Sequence, residues 1–544
     1  MLLAAMKKTV KINVTKVLND ATFDAPILLI DAMSKTFSGV TSKFESSLKA
    51  AINVDSNAFK SGVSVIPTTV HPSGRLIVSC AGNLSHDYDD ARRVYEAAQD
   101  GVTRAIKMGL RKPMLILGSF DTIPSNTEWG QYPYIQQSCL LGALNALYMP
   151  LETQEYAQTS FGKQREMKIT KADFLGLYQE PECDKEMEKL VNQVWAIEEG
   201  KRVARDIGGS DPMRMTPKKI IEYLEEEFQG TEVQMESVPV SEDEYPLAAA
   251  VNRGSKVSET HDGRIVKLQY VPKDKCFTRN IFLVGKGVTY DTGGHDLKTG
   301  GNMAMMHRDK CGAGVVAGIF KTISILNPVG TRFVGRLGCI RNAIGADAYV
   351  SDEIITARSG MRVRVNNTDA EGRMVMGDLL AEMTEEANHS INPHLFTIAT
   401  LTGHALNTYG EGYGAIVTNR PGRKINLDQN LQKIGELLGD CFEISRMRRE
   451  DWRAHVVSDE YADLTNSFAV RGKTQRGHQS PAVFLMQVAG MDKILDSGDD
   501  HLVYAHLDIA GPEVKSCPNP PTAAGLTMLV SKFVIDESNQ PKSQ

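Results

Sequence analysis

Residues 364–378 read RVNNTDAEGRMVMGD and join a short alternating strand pattern to an apolar helix pattern that begins after Gly372. Asp369, Glu371 and Arg373 lie together in the polar turn between these two patterns. Two carboxylates that are two positions apart on a tight turn can point into one small volume, where they repel each other and are costly to bury. A divalent metal ion, or a pair of ions, would balance two acids better than Arg373 alone.

A second acidic stretch lies upstream, at residues 281–313, and reads IFLVGKGVTYDTGGHDLKTGGNMAMMHRDKCGA. It begins as an apolar strand pattern, and its repeated glycines allow a close backbone approach or a positive φ. The stretch contributes two acids and two lysines: Lys286, Asp291, Lys298 and Asp309. The two stretches together supply four carboxylates, which suit two divalent ions, and paired ions in hydrolases are commonly about 3.5–4 Å apart.

These motifs resemble those of the M17 leucyl aminopeptidases. The resemblance rests on NTDAEGR at 367–373, GKGxxxDxGGxxxK at 285–298 and RD at 308–309, and it continues through ATLTG at 399–403 and AHLDIAGP at 505–512. It covers the chain from about residue 200 onward and is weak before that point. Two departures are local. His295, Asp296 and Leu297 replace small and apolar residues before the lysine, and Lys310 and Cys311 follow Asp309 where Met-Gly is common.

The resemblance implies a role for each motif residue. One metal ion would be bound by Asp291, Asp369 and Glu371, and the other by Lys286, Asp291, Asp309 and Glu371. Lys298 would stabilise the oxyanion, and Arg373 would hold a bicarbonate that shuttles a proton from the metal-bridging water. The pocket for the first side chain would be lined by Met306, Thr400, Leu401 and Gly403. A lysine ligand must be neutral, so Lys286 would need a lowered pKa.

Simpler interpretations exist for several of these residues. Asp369 and Glu371 could be surface acids at a helix N-terminus, where the helix dipole favours them, but Asp291 and Asp309 at the family spacing argue against this. Arg373 could form a salt bridge to a metal ligand. Met303, Met305 and Met306 could equally be core residues.

The activity implied by the resemblance is hydrolysis of an N-terminal, leucine-like residue from peptides. The expected cofactors are two divalent ions per subunit and bicarbonate. Zinc is the leading candidate, with manganese and magnesium as alternatives because the site is rich in oxygen. The family also implies a homohexamer. The alternative from another class is a binding or regulatory protein that keeps the scaffold without activity, as in family members that bind DNA.

Other hydrolase and nucleotide-binding motifs are missing from the sequence. The twelve histidines form no HExxH, which argues against the common zinc-protease site. No GxSxG is present, and Cys311 has no evident base partner, so a serine or cysteine hydrolase is disfavoured. No GxxxxGK[ST] is present either, which argues against a P-loop enzyme.

The composition is that of an ordinary globular protein: 544 residues, 42% hydrophobic and 24% charged. A net charge of −6 disfavours nucleic acid as a partner. The eight cysteines form no C-x-x-C pair, which indicates a reducing compartment. The N-terminal apolar run is too short for a signal peptide, and no stretch approaches 18 apolar residues. We therefore expect a cytoplasmic protein without a membrane span.

Strand and helix patterns alternate along the chain, which predicts an α/β protein. We expect a smaller N-terminal α/β domain at 1–182, a linking helix at 183–208 and a larger catalytic α/β domain with a mixed sheet at 209–544. The polar segment 440–479 shows few clear elements, and we expect loops there, near the site or at a subunit contact.

Overall fold

The computed structural model describes residues 9–31, 37–180, 184–457, 459–467, 475–496, 498, 501–513 and 519–536. The chain forms two compact units. The first runs to Glu199 and includes Glu436–Gly439, and the second consists of Gly200–Gly435 and the chain from Asp440 onward. Each unit contains a β-sheet with helices, which confirms the predicted α/β class with a smaller N-terminal unit and a larger C-terminal unit.

The first unit is built on a six-stranded sheet in the order β1-β6-β5-β2-β4-β3. All neighbouring strands are parallel except β3 and β4. Central strand β2, with the sequence APILLI, is buried along its whole length, as expected for a parallel strand covered on both faces. The strands are β1 Ile12–Thr15, β2 Ala25–Ile30, β3 Gly62–Pro67, β4 Arg75–Cys80, β5 Pro113–Leu117 and β6 Leu175–Tyr178. The helices are α1 Glu45–Val54, α2 Arg92–Lys107, α3 Tyr132–Leu147, α4 Leu151–Gln158 and α5 Ser160–Gln164.

A single long helix, α6 at Asp184–Gly209, occupies the position of the predicted linking helix. The division between the two units falls inside it, between Glu199 and Gly200. Its 26 residues would span about 39 Å at the usual rise of 1.5 Å per residue.

The second unit contains an eight-stranded sheet in the order β15-β14-β17-β13-β9-β10-β8-β7. Its central strands β17, β13, β9 and β10 are parallel, whereas β14 runs antiparallel to β17 and β8 runs antiparallel to both β10 and β7, so the sheet is mixed. A small sheet has the order β11-β12-β16. The strands are β7 Gln234–Pro239, β8 Arg264–Tyr270, β9 Phe277–Asp291, β10 Gly330–Asn342, β11 Ile354–Thr356, β12 Arg362–Arg364, β13 Pro393–Ala399, β14 Gly414–Thr418, β15 Phe442–Ser445, β16 Leu464–Thr465 and β17 Val503–Asp508.

The structure contains helices after α6 that the sequence patterns predicted, such as α7, and one within the segment expected to be loops, α14. Thr216 caps α7 by accepting a hydrogen bond from the backbone N–H of Lys219, as the Thr-Pro pair predicts. Segment 440–479, expected to be loops, contains β15, α14 and β16, and residues 468–474 lie outside the described part. The helices are α7 Pro217–Phe228, α8 Pro246–Asn252, α9 Cys311–Leu326, α10 Glu371–Ala387, α11 Gly403–Tyr409, α12 Arg420–Lys424, α13 Leu427–Leu438, α14 Arg449–Ala454, α15 Gln479–Val488, α16 Met491–Asp496, α17 Ala510–Glu513 and α18 Leu526–Val530.

The cysteines and the membrane prediction can be compared with the structure over the described ranges. Cys80, Cys139 and Cys339 are buried free thiols, as expected of small hydrophobic residues. Cys183 and Cys517 lie outside the described residues, as do residues 1–8, on which the signal-peptide argument partly rests. None of the described helices is long and apolar enough to cross a bilayer.

The sheet of the second unit brings the sequence motifs to one edge. The parallel neighbours β9, β13 and β17 end at Asp291, Ala399 and Asp508, so their carboxyl ends meet there. Open α/β sheets commonly bind ligands outside the carboxyl ends of their strands. This edge of the sheet is therefore the candidate location of a functional site.

A buried ion network joins α6, α7 and α9 inside the second unit. The Arg202 guanidinium lies 3.2 Å from an Asp206 oxygen, 2.8 Å from a Glu227 oxygen and 2.9 Å from the Tyr223 hydroxyl, while Lys321 lies 2.9 Å from Glu227. Removing one partner of such a buried network leaves uncompensated charge, which typically costs about 3–5 kcal/mol. The network is therefore expected to matter for stability.

We expect Arg202→Met to lower the free energy of unfolding by about 3–5 kcal/mol, because Asp206 and Glu227 would remain buried without their main cation. The measurement is urea unfolding followed by circular dichroism. Lys218→Ala is the control, since the Lys218–Glu259 pair is exposed and should leave the unfolding midpoint unchanged. Equal midpoints for parent and Arg202→Met would show that the network does not contribute.

Candidate active site

The turn before α10 supplies two of the predicted acids. The Asn367 side-chain oxygen accepts a hydrogen bond of 2.8 Å from the backbone N–H of Asp369, which fixes the turn, and Glu371 begins the helix with its side chain buried. A Cβ atom at Gly372 would lie 2.4 Å from the Lys286 side chain. The glycine between Glu371 and Arg373 is therefore needed so that Lys286 can reach this position.

Strand β9 supplies Lys286 and Asp291, both buried, and the loop after it returns to the same edge. Gly293 and Gly294 open this loop with φ values of 86° and 62°, a region that side chains rarely adopt. A Cβ atom at Gly294 would also lie 2.9 Å from the Thr368 hydroxyl. Both glycines therefore allow the loop to pack closely against the turn before α10.

The fourth acid, Asp309, comes from a one-turn 3₁₀-helix at Met306–Lys310, directly before α9. Ligand oxygens of Asp291, Asp309 and Glu371 all lie within 4.8 Å of one another, and all three residues are buried. Three buried carboxylates this close together form an arrangement that could hold a divalent cation.

The two motif lysines lie among the four acids. Lys286 Nζ is 2.8 Å from Asp309 Oδ1 and 2.8 Å from Glu371 Oε1. Lys298 Nζ is 2.8 Å from Asp291 Oδ2 and 2.5 Å from Asp369 Oδ1. The structure therefore brings together all six predicted metal-binding and oxyanion residues of these two stretches.

Burial and charge act in opposite directions on these groups. Burial disfavours the charged form of Lys286, but the carboxylates of Asp309 and Glu371 outweigh it and raise its pKa. Burial and the neighbouring acids raise the pKa of Asp369 to about 6. Lys286 is thus an ammonium in this arrangement. Its expected role as a neutral ligand requires cations to displace it from the carboxylates and lower its pKa.

The four acids have oxygen atoms that could bind further cations besides the two lysine ammonium groups. Asp309 Oδ2 and Glu371 Oε2 are buried and have no hydrogen-bond partner among the residues that the structure describes. Four carboxyl groups share the two ammonium groups that contact them, and burial raises the pKa of Asp309 and of Asp369, so ionising all four without added cations is unfavourable. Burying unpaired charge is costly, so this donor set fits divalent metal ions.

Arg373 lies one residue beyond Gly372, in the first turn of α10. Its guanidinium donates a hydrogen bond of 2.9 Å to the backbone oxygen of Asn466, and its buried Nε has no hydrogen-bond partner within the described part of the chain. Burial lowers its pKa to about 10, although Glu371 and Asp508 oppose the shift. In the described ranges it forms no ion pair within 4.0 Å, so the alternative of a salt bridge to a metal ligand is not observed.

The four predicted substrate-pocket residues lie around the same edge. The Thr400 hydroxyl donates to Asp309 Oδ1 at 2.9 Å, and the Thr400 carbonyl accepts from Lys286 at 3.2 Å. Leu401 is half-buried after β13, Gly403 begins α11 and is exposed, and Met306 is half-buried at the start of the 3₁₀-helix. Of these, Thr400 directly contacts predicted metal ligands.

Two site residues were not anticipated from the sequence. Asn342, at the end of β10, donates to Asp291 Oδ1 at 2.8 Å and to the Thr368 carbonyl at 3.1 Å. Asp508, at the end of β17, accepts from the Thr402 hydroxyl at 2.6 Å and from the backbone N–H of Leu401 at 3.2 Å. In the sequence, the only indication of either residue was a polar side chain at the end of an apolar strand pattern.

Two relatives found by sequence comparison carry aminopeptidase names. W07G4.4 of Caenorhabditis elegans, which carries an aminopeptidase name, is 38% identical over 530 residues, covering 95% of this chain and 96% of that protein. A protein of Chlamydia muridarum named as a cytosol aminopeptidase is 30% identical over 346 residues, covering 62% of this chain and 64% of its own length.

Solved structures show the same fold at low identity. A mutant of tomato leucine aminopeptidase superposes with a TM-score of 0.74 at 18% identity, covering 96% of this chain and 95% of that one. The bottromycin maturation enzyme BotP in complex with Mn superposes with a TM-score of 0.71 at 21% identity, covering 93% and 98%.

The family model for the catalytic domain of the cytosol aminopeptidase family matches residues 202–530, which include every site residue described above. Together with the relative that is similar over nearly its whole length, this match shows that the chain belongs to the M17 cytosol aminopeptidase family.

Proposed function

We propose that this protein is a metal-dependent aminopeptidase that removes an N-terminal, leucine-like residue from peptides. The observation that carries the proposal is the convergence of four carboxylates and two lysines at the carboxyl ends of parallel strands, in a chain of this family. Buried carboxylate oxygens that lack a hydrogen-bond partner among the described residues support cation binding there.

The metal ligands we propose are those of the two motifs: Lys286, Asp291, Asp309, Asp369 and Glu371. Two divalent ions bound there would polarise the scissile carbonyl, activate water and hold the free amine of the substrate. Zinc is our first candidate. Manganese is supported by the similar fold of BotP, which was solved in complex with Mn, and magnesium also suits oxygen ligands.

The remaining proposed roles belong to side chains around the acids. Lys298 is the cation placed to stabilise the negative oxygen that develops on the carbonyl. Arg373 presents a planar fork of donors at a helix N-terminus, which suits a small anion, and bicarbonate bound there would supply a proton-accepting oxygen. Met306, Thr400, Leu401 and Gly403 would surround the first side chain of the substrate.

Assembly and location belong to the same proposal. We infer a homohexamer in the cytoplasm that acts on peptides and not on nucleic acid, with the chemistry confined to 209–544. The family membership supports these inferences, and the net charge of −6 supports the exclusion of nucleic acid. Analytical ultracentrifugation tests the assembly, and a hexamer mass is the expected result.

The activity predicts that only substrates with a free N-terminal amine are cleaved. Acetylation removes a metal-binding group and adds bulk at the site, so acetyl-leucyl amide should not be turned over detectably. The measurement compares initial rates on leucyl and acetyl-leucyl amides after incubation with zinc or manganese. Comparable rates would exclude an aminopeptidase, and no turnover of either would favour a scaffold with a binding role.

Two metal ions per chain are expected at saturation, because four carboxylates and Lys286 surround the site. Elemental analysis after removal of loosely bound metal gives the ratio directly. Asp309→Asn should lower it, since Asp309 is proposed to bind one ion, whereas Asp274→Asn on an exposed loop should not. A ratio at or below one for the parent would rule out a dinuclear centre.

A further inference from the structure

Asp296, one of the residues that departs from the family pattern, makes a reciprocal contact with Thr368. The backbone N–H of Asp296 donates to the Thr368 hydroxyl at 2.8 Å, and Asp296 Oδ2 accepts from the backbone N–H of Thr368 at 2.7 Å. The Thr368 hydroxyl lies 2.6 Å from the Gly293 carbonyl, to which it donates, and 3.2 Å from Asp296 Oδ2. We call this set of hydrogen bonds the Asp296–Thr368 clasp.

The clasp joins the two stretches that form the site. Thr368 directly precedes Asp369, and Asp296 precedes Lys298 by two residues. The Thr368 side is firmly held, because Thr368 is fully buried and its carbonyl accepts from the Tyr349 hydroxyl at 2.6 Å and from Asn342 at 3.1 Å. The loop that carries Lys298 is thereby attached to a buried and hydrogen-bonded part of the site.

The first residues of the loop are held by their own hydrogen bonds. The Thr292 hydroxyl donates to the Asn342 carbonyl at 2.9 Å, and the backbone N–H of Gly293 donates to Asp291 Oδ1 at 2.9 Å. Within 292–298, the backbone N–H of Lys298 donates to the Thr292 carbonyl at 2.9 Å, and His295 Nδ1 lies 3.2 Å from the Tyr349 carbonyl. His295 and Leu297 are exposed, and Asp296 and Lys298 are half-buried. Lys298 itself lies in ion pairs with Asp291 and Asp369. The hydrogen bonds of Asp296 tie the part of the loop just before Lys298 to Thr368, so they restrain the Lys298 backbone.

We propose that Asp296 is a positioning residue that holds Lys298 over the acidic site through the Asp296–Thr368 clasp. This inference rests on the proposed function, because it assigns Asp296 a role through the oxyanion-stabilising lysine. A lysine side chain is long and flexible, so its ammonium group reaches a fixed point only if its backbone is held. A misplacement of about 1 Å in such a group can cost about 10²-fold in rate.

The test is a double-mutant cycle between Asp296 and Lys298 in the full-length, metal-loaded protein. Asp296→Ala should lower kcat about 10- to 100-fold with KM and metal content unchanged. Asp296→Asn should recover most of the loss, because its amide oxygen still accepts from Thr368. In the Lys298→Ala background, Asp296→Ala should cause no further loss, since the residue that it positions is gone. Asp274→Ala, an exposed aspartate, is the matched control.

A second readout does not depend on activity. Hydrogen–deuterium exchange of the metal-free protein should be faster at 292–298 in Asp296→Ala than in the parent, with α10 unchanged. If Asp296→Ala does not fold, the same exchange measurement is made on Asp296→Asn. Hydrogen–deuterium exchange at 292–298 should then be slightly faster than in the parent.

Three results would overturn the inference while leaving the proposed function intact: full activity of Asp296→Ala, losses that multiply in the double variant, or unchanged exchange at 292–298. An inactive parent would instead contradict the proposed function. In that case faster exchange would still show the clasp as a structural restraint, and the role through Lys298 would be excluded.

Discussion

Lys298→Ala is expected to lower kcat by about 10²–10³ while the protein keeps its metal ions, because removing one oxyanion-stabilising donor typically has this effect. Lys298 approaches Asp291 at 2.8 Å and Asp369 at 2.5 Å, so its ammonium group already lies at the proposed metal site. Lys298 is not one of the predicted metal ligands. Its loss removes positive charge from the site and should leave the carboxylates at least as able to bind cations.

The measurement combines steady-state kinetics on leucyl amide with elemental analysis of the same preparation. Lys298→Arg keeps the charge but not the shape and should restore the rate only in part. Lys218→Ala, at an exposed lysine outside the site, controls for loss of a surface charge. Either loss of metal in Lys298→Ala or an unchanged kcat would contradict the assigned role.

Arg373→Ala is expected to lower kcat by about 10²-fold or more, since positioned proton transfer contributes about 10²–10⁴. All four acids near the metal site are assigned as ligands, so the proton acceptor must be another group. The buried Nε of Arg373 has no hydrogen-bond partner in the described ranges, although another guanidinium nitrogen donates to the backbone oxygen of Asn466. A buried guanidinium with unused donor capacity at the start of a helix is suited to an anion.

The discriminating measurement is kcat against added bicarbonate in carbonate-depleted buffer, for the parent and for Arg373→Ala. The parent should be stimulated, the variant should not be, and both should contain the same amount of metal. Arg373→Lys keeps the charge without the fork and should show partial stimulation. An unstimulated parent together with a fully active variant would exclude the anion mechanism.

The candidate site residues could be identified from the sequence because most of them lie in two short stretches with fixed spacing. Asp369, Glu371 and Arg373 fall in one turn, and a strand followed by a glycine-rich loop carries Lys286, Asp291 and Lys298. Local rules place Asp291 at a strand end and Glu371 at a helix start, which is where the structure has them. The α/β class and the long helix α6 follow from the same periodic patterns.

Contacts between residues distant in the chain were not predictable in this way. Thr400 bonds to Asp309 across 91 residues, Asn342 bonds to Asp291 across 51, and Asp296 bonds to Thr368 across 72. Each depends on which strands are neighbours. For Asn342 and Asp291, which end β10 and β9, a one-residue slip in register would also turn one side chain to the other face of the sheet. The antiparallel direction of β14 and the elements within 440–479 also depend on pairing with β17 and β12.

The sequence by itself thus determined which residue types could bind cations, stabilise an oxyanion and hold an anion, because those properties belong to side chains and short spacings. Only the tertiary structure decided that Lys286 and Lys298 lie among the carboxylates as ammonium groups and that Asp296 ties one motif to the other. The physical reason is that charge neutralisation and hydrogen-bond satisfaction are set by distances in space, and these exist only after the sheet has brought its strand ends to one edge.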